Sequence, residues 1–355
     1  MSSNHSPNYG YLNARLRARL DSFIQPRELR GLSGGTIRDL ELFLLESAYA
    51  ESYRAHLVAV EASPLARIEM AVSIGVADRI RNTVDLAQGE PRELMKVVTT
   101  RSDLHNSRLV LRGLSLGRDP SRNPSWHGYG ELEADFFDSL WSANTTLDAR
   151  EKCLANGTPL ALALGDALEV RQEGESLPLA ERQLLNAFLS YQEGLFRKIG
   201  GAGSETAIEV LGRSVDLWNI GIWFRKHRGD RGKAQEAIAF LPYGKWLEIP
   251  RLESSDSVRA LLETTPWTKG IEASVLQAGS ATSLQGELNR AFWKWQSFLY
   301  RRNLLGFEVA VSFLARLLME WQNLNILAVG LALGHPGKEI SRRIVDVVGE
   351  EERPS

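Results

Sequence analysis

Leu12, Leu16 and Leu20 stand four residues apart, with Arg15, Arg17 and Arg19 between them on other faces, so the chain opens on an amphipathic helix. The same spacing of apolar positions returns over 39–53 and 65–86. Alternation of period two, the mark of a half-buried strand, is hard to find over any useful length. The pattern predicts an all-α protein.

Breakers divide this helical pattern. Asp119-Pro-Ser-Arg-Asn-Pro-Ser125 cannot continue a helix, and a second stretch runs from Leu241-Pro-Tyr-Gly244 through Pro250. Gly200-Gly-Ala-Gly203 interrupts the middle of the chain, and Gly334-His-Pro-Gly337 sets glycine before proline in the order that closes a helix.

A motif recurs on this frame three times. An acid is followed three positions later by an asparagine that opens an apolar run: Asp103-Leu-His-Asn106 with Arg112 beyond, Asp216-Leu-Trp-Asn219 with Arg225 beyond, and Glu320-Trp-Gln-Asn323. The asparagines lie 113 and 104 residues apart (219 − 106 and 323 − 219). That period is too long for a solenoid repeat and suits three copies of one small helical domain. The expected units are 9–125, 126–240 and 241–348, with approximate boundaries. Leu44-Leu-Glu-Ser-Ala-Tyr49 and Leu261-Leu-Glu-Thr-Thr-Pro-Trp267 echo one another as the same helix end, and Glu69 and Glu287 precede their motif asparagines by 37 and 36 residues (106 − 69 and 323 − 287).

Acid and asparagine three apart share one helix face. In the first copy that face continues through Val110, Gly113 and Gly117, and in the third through Leu327, Gly330 and Gly334. Glycines four apart predict the close approach of another backbone. A buried asparagine needs partners, because an unsatisfied amide costs about 1–3 kcal/mol. The expected role is therefore to fix helix register inside each unit, with direct grip on a partner as the alternative. No base or nucleophile recurs with the motif, so it is not read as catalytic.

Composition narrows the function further. Net charge is only −2, which gives no global field toward nucleic acid or anionic lipid. The single cysteine, Cys153, excludes an internal disulfide and reads as a small buried residue. The six histidines show no metal-ligand spacing, and Gly200-Gly-Ala-Gly-Ser-Glu205 lacks the Gly-Lys-Ser/Thr ending of a phosphate loop. Neither metal, cofactor nor small-molecule substrate is expected. The opening Met1-Ser-Ser-Asn-His5 has no basic, apolar leader, and no apolar run reaches the roughly 18 residues of a membrane span. Arg225-Lys-His-Arg-Gly-Asp-Arg-Gly-Lys233 is the one dense basic segment, read as a solvated helix end or as a patch for an acidic surface or lipid headgroups. Trp218, Trp223, Trp293, Trp295 and Trp321 fall at helical positions as gap fillers; Trp126, Trp141, Trp246 and Trp267 lie near breakers, where one or two could anchor a partner.

The chain resembles the C subunit of V-type and A-type rotary ATPases, the relative of the eukaryotic d subunit. Tyr11-Leu-Asn-Ala-Arg15 matches that family's opening Tyr-x-x-Ala-Arg type of helix, and Leu44…Tyr49 its Leu-x-x-Thr-x-Tyr-like element. Arg101-Ser-Asp103-Leu-His-Asn106…Arg112 follows its Arg-x-Asp-x-x-Asn…Arg pattern, and Glu320-Trp-Gln-Asn323-Leu-Asn-Ile326 its final motif, which the resemblance follows with a Gly-x-Pro and a last helix over 339–348. Leu318 and Asn325 depart from it, where an acid and an arginine are common. The resemblance covers almost the whole chain, 9–348. It implies a funnel of three pseudo-symmetric helical domains, non-catalytic, peripheral on the cytoplasmic face of the membrane. There it would link central-stalk subunits to the membrane proteolipid rotor ring in proton or sodium transport, without nucleic acid. The residues by themselves leave open an all-helical adaptor that binds a protein partner in a central cavity.

Overall fold

A computed structural model describes residues 6–57, 63–119, 124–228, 239–268 and 281–346. Every regular element among them is helical, so the chain is all-α. The helices are α1 (Tyr9–Arg17), α2 (Pro26–Leu32), α3 (Ile37–Leu45), α4 (Ala50–His56), α5 (Pro64–Leu86), α6 (Glu90–Thr99) and α7 (Arg101–Leu116), then α8 (Ala134–Trp141), α9 (Thr146–Asn156), α10 (Pro159–Gln172), α11 (Leu177–Ile199) and α12 (Gly201–Arg228). They continue with α13 (Ile249–Ser254), α14 (Val258–Leu262), α15 (Ala281–Ser297), α16 (Glu308–Ala332) and α17 (Gly337–Arg343).

Local chemistry sets many of the starts. Thr36, Thr145 and Ser257 each cap a helix by accepting from the backbone N–H three residues on, at Asp39, Asp148 and Ala260. Ser63 and Thr158 cap α5 and α10, each followed by proline at the first helical position, where a missing N–H costs nothing. Gly117, Gly157 and Gly334 close α7, α9 and α16 in the left-handed conformation. Gly200 and Gly201 also have positive φ, which makes their segment a turn between α11 and α12.

The chain forms two compact units. One comprises Met1–Met95, Ser125–Tyr129 and Trp293–Ser355, and so takes in both chain ends. Its central element is α16, buried over most of its circumference, and α1, α2, α3, α5 and α17 pack around it. Leu12 and Leu16 of α1 are buried as the opening periodicity predicts, while Leu20 lies beyond the helix in a 3₁₀ turn.

The other unit comprises Lys96–Pro124 and Gly130–Phe292. Here α10 packs against α9 and α11, presenting a face of alanine, leucine and glycine. Gly165 brings α10 close to Cys153, whose Cβ would lie 3.2 Å from an added methyl. Cys153 is fully buried, and burial pushes its thiol up to about 12, far from nucleophilic.

Two local expectations change. The glycines of the motif face do not admit a backbone. Gly113 lies under the Trp141 ring, Gly330 against Ile340, and the following Gly117 and Gly334 are helix caps. The close neighbours are bulky side chains, which need the same missing Cβ. The last helix also stops at Arg343 instead of running to 348; 344–346 is non-helical and 347–348 lies outside the described residues. Its reason is the third motif asparagine.

Candidate functional site

An asparagine side chain carries one donor and one acceptor in a plane, as a peptide group does, so it can pair with a backbone residue at both groups. Asn219 does so from α12. Its Nδ2 donates to the Leu241 carbonyl at 2.9 Å, and the Leu241 N–H donates to its Oδ1 at 2.8 Å. One turn earlier, Asp216 accepts from the Leu247 N–H at 3.1 Å, the Trp246 N–H at 3.2 Å and the Trp267 indole N–H at 3.4 Å. Both motif side chains are fully buried. One face of one helix therefore pins a loop at two points, the asparagine at its start and the carboxylate at its end.

The third copy repeats this device. Asn323 of α16 donates to the Val345 carbonyl at 2.8 Å and accepts from the Val345 N–H at 2.8 Å, again 22 residues downstream. Inside a longer α17 that N–H would bond to the carbonyl of Ser341; held by Asn323 instead, the backbone leaves the helix. Glu320 accepts from the Ile24 N–H, from the Tyr49 hydroxyl at 2.6 Å and from Arg79 at 2.5 Å. In the first copy, Asp103 accepts from the Glu131 and Leu132 N–H groups at 2.8 and 3.1 Å, and Asn106 is fully buried on the same face of α7.

The backbone targets follow a rule of their own. Leu132, Leu247 and Ile24 each lie two residues before a helix, α8, α13 and α2 respectively. Each motif acid thus fixes the backbone at the entry to a helix. The third acid takes the segment before α2, from near the start of the described residues. The two echo segments join the same scheme: Tyr49 donates to Glu320, and Trp267 donates to Asp216. Trp267 is thereby a buried structural donor, and Trp141 a buried lid on Gly113.

Aspartate and glutamate solve one distance problem differently. A methyl on Gly130 would collide with the Asp103 carboxylate, and one on Gly244 would sit 2.8 Å from that of Asp216. The short acids need glycine so that the loop backbone can reach them. The longer Glu320 reaches out itself, and Ser22 stands two before Ile24, where Gly130 stands two before Leu132.

Burial dominates the electrostatics. It pushes the Asp103 carboxyl up to about 7 against the lowering pull of its two backbone donors, with Glu131 and Glu133 adding to the rise. Asp216 is raised to about 6, again by burial, and its backbone and indole donors oppose the shift. Glu320 is raised by burial despite Arg79, Tyr49 and Ile24. These carboxylates serve as acceptors for fixed N–H and O–H groups, an arrangement that holds backbone in place.

The arginines that follow the asparagines do something else. Arg112 makes a two-pronged pair with Glu181, and Arg225 is exposed in the last turns of α12; both line one cavity. Of the basic segment, 229–233 lies outside the described residues. Among the described residues no three His, Cys, Asp or Glu side chains gather as a metal site would require, and no helix is long and apolar enough to cross a membrane.

Sequence reading finds the motif residues but not their targets. Gly130, Gly244 and the Ser/Thr caps were visible as residues, yet only the fold brings Leu241, Val345 and Ile24 to the motif faces.

An all-helical chain with a thrice-repeated acid–asparagine helix defines a structural class, and the family comparison gives that class a name. The model of the ATP synthase (C/AC39) subunit family matches residues 12–343, and the chain belongs to that family. Among its relatives is the C subunit of the V-type ATP synthase of Thermus thermophilus, 23% identical over 344 residues, covering 95% of this chain and 98% of the relative. The corresponding V-type C subunit of Deinococcus radiodurans is 20% identical over 339 residues, with 95% and 91% covered. The C subunit of the A-type ATP synthase of Methanococcoides burtonii is 23% identical over 356 residues, with 97% and 96% covered.

Proposed function

We propose that this chain is a non-catalytic coupling subunit of a V/A-type rotary ATPase, joining the central stalk to the membrane rotor ring and passing rotation between them. The observation that carries the reading is the end-to-end family match, 12–343, on a chain whose buried motif carboxylates are engaged by backbone and side-chain donors. A part that transmits torque needs loops that do not yield, and a helix face that grips backbone at two points supplies that. The same reading takes the repeat as three units with junctions near residues 125 and 240, arranged as a funnel about an axis. It places the protein on the cytoplasmic face, peripheral to the membrane, in the service of proton or sodium transport.

A gentle-detergent pull-down of the tagged protein from membranes, followed by mass spectrometry, tests it. Catalytic-head, stalk and proteolipid-ring subunits are expected together. Recovery of none of them, under conditions that keep a control motor intact, would overturn the reading in favour of a helical adaptor.

A further inference from the structure

Within the unit formed by Lys96–Pro124 and Gly130–Phe292 lies a cavity of about 330 Å³, at the small end of the range usual for ligand sites. Four guanidinium groups line it: Arg108 and Arg112 from α7, Arg182 from α11 and Arg225 from α12. One carboxylate, Glu181, lines it with them. The lining charge is +3 (four positive, one negative) in a protein whose net charge is −2, so this concentration is local and does not follow from general basicity.

Glu181 is already engaged. Arg112 holds both of its oxygens, and Arg108 reaches it at 3.7 Å. Arg225 projects into the same space from the opposite helix, with no ion pair of its own among the described residues. Burial, together with the neighbouring Arg112 and Arg225, holds the Arg108 guanidinium below its ordinary value although Glu181 pulls the other way. Crowded like charges of this kind are relieved by an anion. Pro178, Ile222 and Leu241 give this open cavity part of an apolar wall. Leu241 is also the residue gripped by Asn219, so one wall of the cavity is fixed by the motif.

We propose that this cavity is a binding site for a phosphate-bearing polyanion, held by the planar forks of Arg108, Arg182 and Arg225 while Arg112 stays paired with Glu181. Guanidinium matches phosphate oxygens in bidentate geometry, which a lysine cluster would not. The phosphate could be free in solution or carried on a lipid headgroup, and the chemistry of recognition is the same.

The test is titration calorimetry of the full chain with pyrophosphate, alongside flotation with phosphatidylcholine vesicles with and without phosphatidylinositol bisphosphate. Saturable one-to-one binding is expected, weakened about tenfold or more by Arg225→Ala and by Arg182→Ala. Glu181→Gln, which removes the competing carboxylate, is expected to tighten it. Arg81→Ala, an exposed arginine paired to Asp78 in the other unit, is expected to change nothing. Circular dichroism and melting of each variant separate lost binding from lost folding. Pyrophosphate binding with no vesicle preference assigns a soluble ligand; vesicle binding that depends on the phosphorylated lipid and on Arg225 assigns a headgroup. No saturable binding in either arm, or equal loss in Arg81→Ala and Arg225→Ala, would overturn the proposal, as would binding of polyglutamate without binding of phosphate.

Discussion

The smallest unit of this architecture is an amide that imitates a peptide group. Asn219 and Asn323 each satisfy one buried backbone N–H and one buried carbonyl, so replacement by leucine removes two hydrogen bonds and strands both groups. Each stranded group costs about 1–3 kcal/mol, so Asn219→Leu and Asn323→Leu are each expected to lose about 3 kcal/mol. Urea unfolding should show a lower midpoint at an unchanged slope. The acids one turn earlier carry a pH signature. A carboxyl whose folded pKa lies above its unfolded value binds protons more tightly when folded, so folding is penalised above the folded pKa and the penalty lifts as pH falls. For Asp103 the window runs from about 7 down toward the ordinary 3.8, and for Asp216 from about 6. Stability to urea should therefore rise as pH is lowered from about 8 to about 5, and Asp103→Asn should flatten that rise. A rise of the same size in the variant would mean that other groups dominate. The acid–asparagine spacing was legible in the sequence; the backbone partners were not, since a backbone group is the same at every position and only its buried location makes it a target.

At the scale of the element, glycine before proline at Gly334 closes α16 where the sequence expects a helix to close. Thr36, Thr145 and Ser257 set helix starts in the structure through short-range bonds to the backbone three residues on. The end of α17 is different, because a distant side chain takes the N–H and carbonyl of Val345. Close approach between elements is likewise tertiary. Gly130→Ala would drive Asp103 off its two backbone donors and is expected to cost about 2 kcal/mol. Gly286→Ala, in the exposed interior of α15 with open space around it, should stabilise by about 0.5–1 kcal/mol. Thermal melts of the pair check both, and a destabilised Gly286→Ala would show that open space is not the deciding factor.

At the scale of the whole molecule, Ile24 and Val345 belong to one compact unit although they come from opposite ends of the chain, each fixed to α16. Their amide hydrogens should exchange as one class, opening together with the unit that α16 centres. Leu241 and Leu247, both fixed to α12, should form another class in the second unit. Native-state hydrogen exchange in dilute denaturant checks this, and independent exchange of Ile24 and Val345 would count against closure by the two ends. The recurrence of the motif was legible because its three copies stand at near-even intervals. That Ile24 meets the third motif was not, because nothing in residues 20–26 marks a partner for an acid 296 residues later.

Helical class, the recurrence of the motif and family membership were determined by the sequence itself, because periodicity and motif spacing are local properties that survive without a fold. Which backbone each asparagine grips, why Gly130 and Gly244 are glycine, and that Arg112 and Arg225 face one cavity were decided only in three dimensions. Those facts depend on distances between segments remote in the chain, and such distances are set by how the helices pack.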